Sequence, residues 1–83
     1  MYYYFTMDIL KKIKYSVLDL AIIRSGDSLN DTFQHTLECA KFAEDLGYTR
    51  YWLSEHHNMV NVASSATSIL IGYVAGGTSK IKV

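Results

Sequence analysis

The stretch LGYTRYWLSEHH, residues 46–57, decides the fold. It joins the end of a helix, a run of aromatic and β-branched residues, and a glutamate followed by two histidines. Gly47 is the left-handed residue that commonly follows the last turn of a helix. The run after it is typical of a strand. We therefore predict a helix that ends near residue 46 and a strand over residues 48–54.

The residues before this stretch supply an earlier strand and the body of the helix. Residues 15–22, YSVLDLAI, are an apolar run that predicts a largely buried strand. Ser28, with Asp31 three residues later, is a weak form of the capping box and predicts a helix over about residues 29–46. Apolar residues recur every three or four positions and form one face of this helix: Leu29, Phe33, Leu37, Ala40, Ala43 and Leu46. Cys39, at the edge of this face, is expected to be buried and unreactive.

The residues after the stretch continue the alternation. Ser64 or Ser65 is expected to cap a second helix, which Gly76 and Gly77 end. Residues 81–83 begin like a third strand. Strands that alternate with helices predict a parallel sheet with crossover helices, and such sheets need several strands. The sequence therefore predicts an α/β fold, present as a truncated β-α-β-α-(β) portion, with a compact domain of 83 residues as the alternative.

Composition narrows the class of protein. Lys plus Arg and Asp plus Glu both number 8, which argues against nucleic-acid binding and against a polybasic membrane anchor. The single cysteine excludes an intramolecular disulfide framework and favours a reduced, cytoplasmic setting. The longest nearly apolar run, residues 68–77, is too short to span a bilayer. Residues 1–13 fit none of the elements, and we expect an extension that is disordered or results from a start upstream of Met7.

The candidate site is Glu55, His56 and His57. They follow the second predicted strand, and ligands of parallel α/β folds bind at the carboxyl ends of strands. Histidine has a reference pKa of about 6.5, which suits proton transfer near neutrality. Neighbours in an extended backbone point in opposite directions, so one histidine faces a pocket and the other braces the loop. A surface or packing role for both is the alternative.

Other chemistry is not predicted here. Adjacent histidines chelate one ion poorly and no HExxH or CxxC pattern is present, so we expect no metal site. His35 lies in the middle of the first helix and is expected to be solvated. Trp52 is expected to anchor the core.

Three segments together carry a family resemblance: YSVLDLA, ECAKFAEDLGYTRYWLSEHHNM and VASSATSILIGYVAGGTSKIKV. They resemble the start of the bacterial luciferase-like flavin monooxygenases, over about residues 14–83. The resemblance implies a TIM-type (β/α)8 barrel, of which residues 14–83 would form a partial domain, since such barrels need about 250 residues. His56 matches the family's catalytic histidine, which handles protons near the flavin. Glu55 and His57 match neighbours that shape the cofactor pocket.

The resemblance also implies a reaction. Family members use reduced flavin, usually FMN, to activate O2 and oxidise a small organic substrate such as an aldehyde. The reduced flavin is made internally or supplied by a flavin reductase, and a homo- or hetero-oligomer is left open. Relatives commonly carry proline at the positions of Ile22 and Val60 and glycine at that of Asn61, so we expect both loops to be less rigid here.

A non-enzymatic role is the alternative to this reaction. The flavin phosphate site of such barrels usually comes from the loops after strands 7 and 8. We therefore expect weak flavin affinity from residues 14–83 alone. The alternative is a truncated or split-gene fragment that needs a second chain.

Overall fold

A computed structural model describes residues 12–83. Its elements run in the order β1 (Ser16–Asp19), α1 (Leu29–Asp45), β2 (Arg50–Leu53) and α2 (Thr67–Gly76). The two strands are parallel and adjacent, with Ser16 opposite Arg50 and Asp19 opposite Leu53. The predicted α/β alternation with parallel strands is confirmed. The expected N-terminal extension over residues 1–13 lies mostly outside the described residues, and the alternative start at Met7 lies wholly outside them.

The predicted third strand begins where the sequence places it. Lys82 forms a parallel bridge with Arg50 on β2. The Tyr51 amide donates to the Lys82 carbonyl at 2.7 Å, and the Lys82 amide donates to the Thr49 carbonyl at 3.1 Å. Strand β2 therefore lies between β1 and the start of a third parallel strand.

Both ends of α1 are fixed by local hydrogen bonds. The Ser28 amide donates to Asp31 Oδ2 at 2.9 Å and the Asp31 amide donates to Ser28 Oγ at 3.0 Å, which confirms the capping box. The hydrogen bond from the Ser28 amide is the largest of the causes that lower the pKa of the Asp31 carboxyl. At the other end, Gly47 has a φ of 86°. Its amide donates to the Glu44 carbonyl and that of Tyr48 donates to the Ala43 carbonyl, both at 3.0 Å, which forms a Schellman motif.

The buried face of α1 differs from the predicted one. Its buried residues are Thr32, Thr36, Ala40 and Ala43. Leu29 and Leu46 are 55% and 60% exposed, so the ends of the predicted apolar face are wrong. Cys39 is exposed, and its predicted burial is also wrong. One residue of helix rotates a side chain by about 100°, and Cys39 therefore lies beside the stripe that contains Ala40.

The core lies between the two helices and one face of the sheet. Its buried members are Ala21, Ala40, Ala43, Tyr51, Ala63, Leu70, Val74 and Ile81. Alternation along β2 directs Tyr51, which is 1% exposed, towards the helices. Trp52 and its register partner Leu18 point to the opposite face and are 53% and 64% exposed. The prediction that Trp52 anchors the core is therefore wrong for the described part of the chain.

The start of α2 corrects a further expectation. Its N-cap is Ala66, which makes no side-chain capping hydrogen bond, so neither Ser64 nor Ser65 caps this helix. The hydroxyl of Thr67 instead lies 2.9 Å from the Ser64 carbonyl. The predicted end at Gly76 is confirmed. Neither helix described here has the length and apolarity needed to cross a membrane.

Candidate active site

The loops beyond the carboxyl ends of β1 and β2 are joined by backbone hydrogen bonds. The Ala63 amide donates to the Ala21 carbonyl at 2.9 Å, and the Ile23 amide donates to the Asn61 carbonyl at 2.8 Å. Ala21 adopts a φ of 51°, in the left-handed region that alanine rarely occupies. This bend ends β1 at Asp19, three residues before the predicted end. The two loops therefore form one rim.

The Asp19 carboxylate, at the end of β1, stabilises this rim through two hydrogen bonds. Its Oδ1 accepts from the Ala21 amide at 2.7 Å. Its Oδ2 accepts from the hydroxyl of the buried Tyr51. Burial, and then the hydrogen bond to Asp19, raise the pKa of Tyr51 far above that of an exposed phenol. Tyr51 therefore stays protonated at physiological pH and acts as a structural donor.

His56 lies directly beyond the carboxyl end of β2, where the sequence places it. The Ser54 amide donates to the Asp19 carbonyl at 3.2 Å, as the last bond between the strands. Two residues later, Nδ1 of His56 lies 3.1 Å from Ser54 Oγ. The His56 amide donates to the Ser64 carbonyl at 3.2 Å. The half-buried imidazole is therefore held through both its backbone and its ring.

Glu55 pairs with His57 and not with His56. Its Oε2 lies 3.1 Å from Nε2 of His57, and the two side chains are 61% and 64% exposed. The hydrogen bond to His57, together with its charge, lowers the pKa of Glu55. The two histidines engage different partners, as opposite side-chain directions require. That His57 braces the loop stays a prediction.

Sequence reasoning missed two members of this site, Ser54 and Ser64. Their Oγ atoms lie 3.2 Å apart, and Ser64 is fully buried. Ser54 could have been found from its place between a strand and a histidine. Ser64 gives no such local signal, because its hydroxyl donates to the carbonyl of Leu20, 44 residues earlier.

A separate cluster of polar side chains surrounds His35. One guanidinium nitrogen of Arg24 lies 2.6 Å from Nδ1 of His35, and Asp27 Oδ2 lies 3.4 Å from the same atom. The His35 side chain is 40% exposed, so the predicted solvation is only partial. Both Arg24 and His35 line an open cavity of about 560 Å³ beside β1, which does not include residues 55–57. Across residues 12–83, no three potential metal ligands come together.

Parallel strands, a crossover helix and polar side chains beyond the strand ends define an α/β protein with its site at the carboxyl ends of the strands. Residues 13–83 match the model of the luciferase-like monooxygenase family. The chain belongs to this family. It is 54% identical over 71 residues to a luciferase-like monooxygenase of Escherichia coli (strain K12). The aligned region covers 86% of this chain and 21% of the E. coli protein. It is also 45% identical over 71 residues to the N-acetyl-S-alkylcysteine monooxygenase of Bacillus subtilis (strain 168). That alignment covers 86% of this chain and 21% of the B. subtilis protein.

Solved structures give the same fold. The crystal structure of apo-MsnO8 matches with a TM-score of 0.78 and 39% identity, over 83% of this chain and 21% of that one. A type II Baeyer–Villiger monooxygenase, the oxygenating constituent of 3,6-diketocamphane monooxygenase from Pseudomonas putida in complex with FMN, matches with a TM-score of 0.74. At 24% identity, over 84% of this chain and 19% of that one, the second likeness concerns the fold alone. The chain spans about a fifth of the length of the proteins it matches.

Proposed function

We propose that this chain carries part of the active site of a flavin-dependent monooxygenase, in which reduced FMN activates O2 to oxidise a small organic molecule. The observation that carries the proposal is the placement of His56. Its ring is held beyond the carboxyl end of β2 through Nδ1, and Nε2 has no hydrogen-bond partner among residues 12–83. Membership of the luciferase-like family supports it.

The residues present fit the ring of a flavin. Leu18 and Trp52 lie opposite each other in register and expose an apolar surface on the face of the sheet away from the helices. A flat heteroaromatic ring is favourably buried against such a surface. When bound, reduced flavin supplies the electrons that activate O2. In this proposal Leu18 and Trp52 contact the ring and exclude water, and Glu55 and His57 shape the cofactor pocket.

His56 is the catalytic residue of the proposal. Its half-buried ring offers one nitrogen, Nε2, that can take up or release a proton near the flavin. The partners are a small organic substrate such as an aldehyde or a thioether, O2, and a flavin reductase in the cytoplasm. The thioether is suggested by the printed name of the B. subtilis relative.

A chimera tests the role of His56. Residues 13–83 would replace the matching segment of the B. subtilis N-acetyl-S-alkylcysteine monooxygenase, to which 71 residues are 45% identical. Turnover of N-acetyl-S-alkylcysteine would be measured with FMN, a flavin reductase and a reduced nicotinamide. We expect His56→Ala to lower turnover by about 10²–10⁴, the usual contribution of a general acid or base.

His57→Ala is the matched control for this experiment. It removes an adjacent imidazole that is 64% exposed and paired with Glu55, so we expect a much smaller loss of turnover. A chimera that is active, and that keeps full turnover after His56→Ala, would overturn the proposed function.

A non-enzymatic chain that associates with a second polypeptide is the alternative. The exposed surface of Leu18 and Trp52 on the sheet, of Phe42 (66%) on α1 and of Leu46 (60%) at its C-cap favours it. Trp52 is the single tryptophan of this chain, so its fluorescence emission shows whether a second polypeptide covers the sheet face. On this alternative, adding the rest of the E. coli relative shifts the emission, and FMN binds only to the mixture. Micromolar FMN binding by the 83-residue chain alone would contradict it.

A further inference from the structure

Ser64 is a fully buried polar residue that connects the two loops of the rim. Its hydroxyl donates to the Leu20 carbonyl at 3.3 Å, and its oxygen lies 3.2 Å from Ser54 Oγ. Its own carbonyl accepts from the His56 amide at 3.2 Å. Ser64 therefore reaches His56 by two routes, through the backbone and through the hydroxyl of Ser54.

The Leu20 carbonyl, at one end of this series of hydrogen bonds, fixes which atom donates at every other contact in the series. A carbonyl only accepts, and a serine hydroxyl has one hydrogen to donate. The Ser64 hydrogen is committed to the Leu20 carbonyl, so Ser54 must donate at the contact between the two hydroxyls. The hydrogen of Ser54 is then also committed. At the 3.1 Å contact between Ser54 Oγ and Nδ1 of His56, the imidazole is therefore the donor.

We propose that Ser64 and Ser54 are positioning residues that hold the neutral His56 ring with its hydrogen on Nδ1. Nε2 is then left as a bare acceptor. When it takes up a proton, the ring becomes an imidazolium whose Nδ1–H still donates to Ser54, so the ring need not turn during the transfer. The use of Nε2 as a base rests on the proposed function, whereas the place of the hydrogen does not depend on flavin.

The neighbouring histidine supplies an internal comparison. Nε2 of His57 lies 3.1 Å from Glu55 Oε2. A glutamate has a reference pKa of about 4.3, so the exposed Glu55 side chain is a carboxylate at neutral pH and only accepts. His57 must donate from Nε2. The two adjacent rings therefore carry their hydrogens on opposite nitrogens.

Nitrogen-15 NMR of the labelled 83-residue chain tests the proposal without flavin. Long-range proton–nitrogen correlations at about pH 8.5, two units above the reference histidine pKa of about 6.5, show which ring nitrogen is protonated. Variants in which His35, His56 or His57 is replaced by glutamine assign the rings. We expect the hydrogen on Nδ1 of His56 and on Nε2 of His57. A hydrogen on Nε2 of His56 would overturn the proposal.

Serine variants test whether the relay sets this tautomer. Ser64→Ala frees the Ser54 hydroxyl to donate to Nδ1, so we expect the hydrogen of His56 to move to Nε2, although residue 64 does not contact the ring. Ser65→Ala, at the exposed next position, is the matched control and leaves the hydrogen on Nδ1. An unchanged tautomer in a folded Ser64→Ala chain contradicts the relay.

Ser64→Ala leaves the Leu20 carbonyl unpaired, which destabilises the fold. If this variant does not fold, variants of Ser54 test the relay. We expect Ser54→Ala to abolish the preference for Nδ1–H and Ser54→Thr, which keeps a hydroxyl, to restore it. If the hydrogen stays on Nδ1 in Ser54→Ala, the relay is wrong. The two proposals fail separately: a chimera insensitive to His56→Ala overturns the function and leaves the NMR result standing.

Discussion

Glu44, near the end of α1, is bound by three consecutive backbone amides. Its Oε2 accepts from the Ser79 amide at 2.7 Å, from the Ile81 amide at 2.9 Å and from the Lys80 amide. These hydrogen bonds, that of Lys80 first, lower the pKa of Glu44. The carboxylate thereby ties the turn before the third strand to α1.

The folded state should lose the contribution of Glu44 in acid. Because the folded pKa lies below the unfolded value of about 4.3, the stabilisation is fully present above that value and is lost as pH falls through the folded pKa. We expect Glu44→Gln to unfold more easily than the parent at pH 7 and to show less loss of stability below about pH 4.3. Urea unfolding across this range measures both effects.

Glu38→Gln is the matched control for that series, because Glu38 is an exposed carboxylate on the same helix. It should track the parent. A Glu44→Gln chain with the parent's stability at pH 7 would show that the three amides do not need the charge.

At this scale, prediction succeeded only where the physical cause is local. The position of His56 beyond the end of β2 was predictable because it lies three residues after Leu53, and its catalytic role stays a prediction. Trp52 was misplaced because the run around it is apolar on both sides and gives no alternation to set its face. Ser64 was misread as a helix cap because its partner, Leu20, is 44 residues away in the chain.

At the scale of elements, the two ends of α1 were predictable from sequence and its buried face was not. The cap of Ser28 and Asp31 and the glycine stop involve residues within a few positions of each other. The buried face depends on what packs against the helix. Thr32 and Thr36 are buried because they lie in line with Ala40 and Ala43, which no ranking by apolarity reveals.

Two glycines allow the same substitution to be tested with opposite signs. Apart from the adjacent residues and the helix backbone, an added Cβ at Gly47 or Gly72 would have no atom within 4 Å. Gly47 has a φ of 86°, so Gly47→Ala should destabilise the chain by about 1–2 kcal/mol. Gly72 lies inside α2, so Gly72→Ala should stabilise it by about 0.5–1 kcal/mol. Urea unfolding compares both with the parent, and equal signs would contradict the conformational explanation.

At the scale of the whole molecule, the parallel order was predictable because each strand is followed by a helix long enough to cross over. The incomplete cover of the sheet among residues 12–83 was predictable too, because a parallel sheet needs more strands than these residues supply. An exposed apolar face beside an unpaired strand edge favours association between chains.

We expect the isolated chain to self-associate with rising concentration, and Trp52→Glu to reduce this, as measured by light scattering after size-exclusion chromatography. Val60→Glu is the control, because Val60 is 96% exposed but lies in a loop and not on the sheet. A parent chain that stays monomeric at every concentration, or an equal effect of both variants, would count against association through this face.

The bridge between Ile22 and Val62 has a dynamic consequence. Since the amides of Ile23 and Ala63 are bonded across the same two loops, neither loop can lift without breaking the bonds of the other. The loops therefore open as one cooperative unit with a single opening free energy, and these two amides should exchange with deuterium together. A molecule that enters over either loop displaces both.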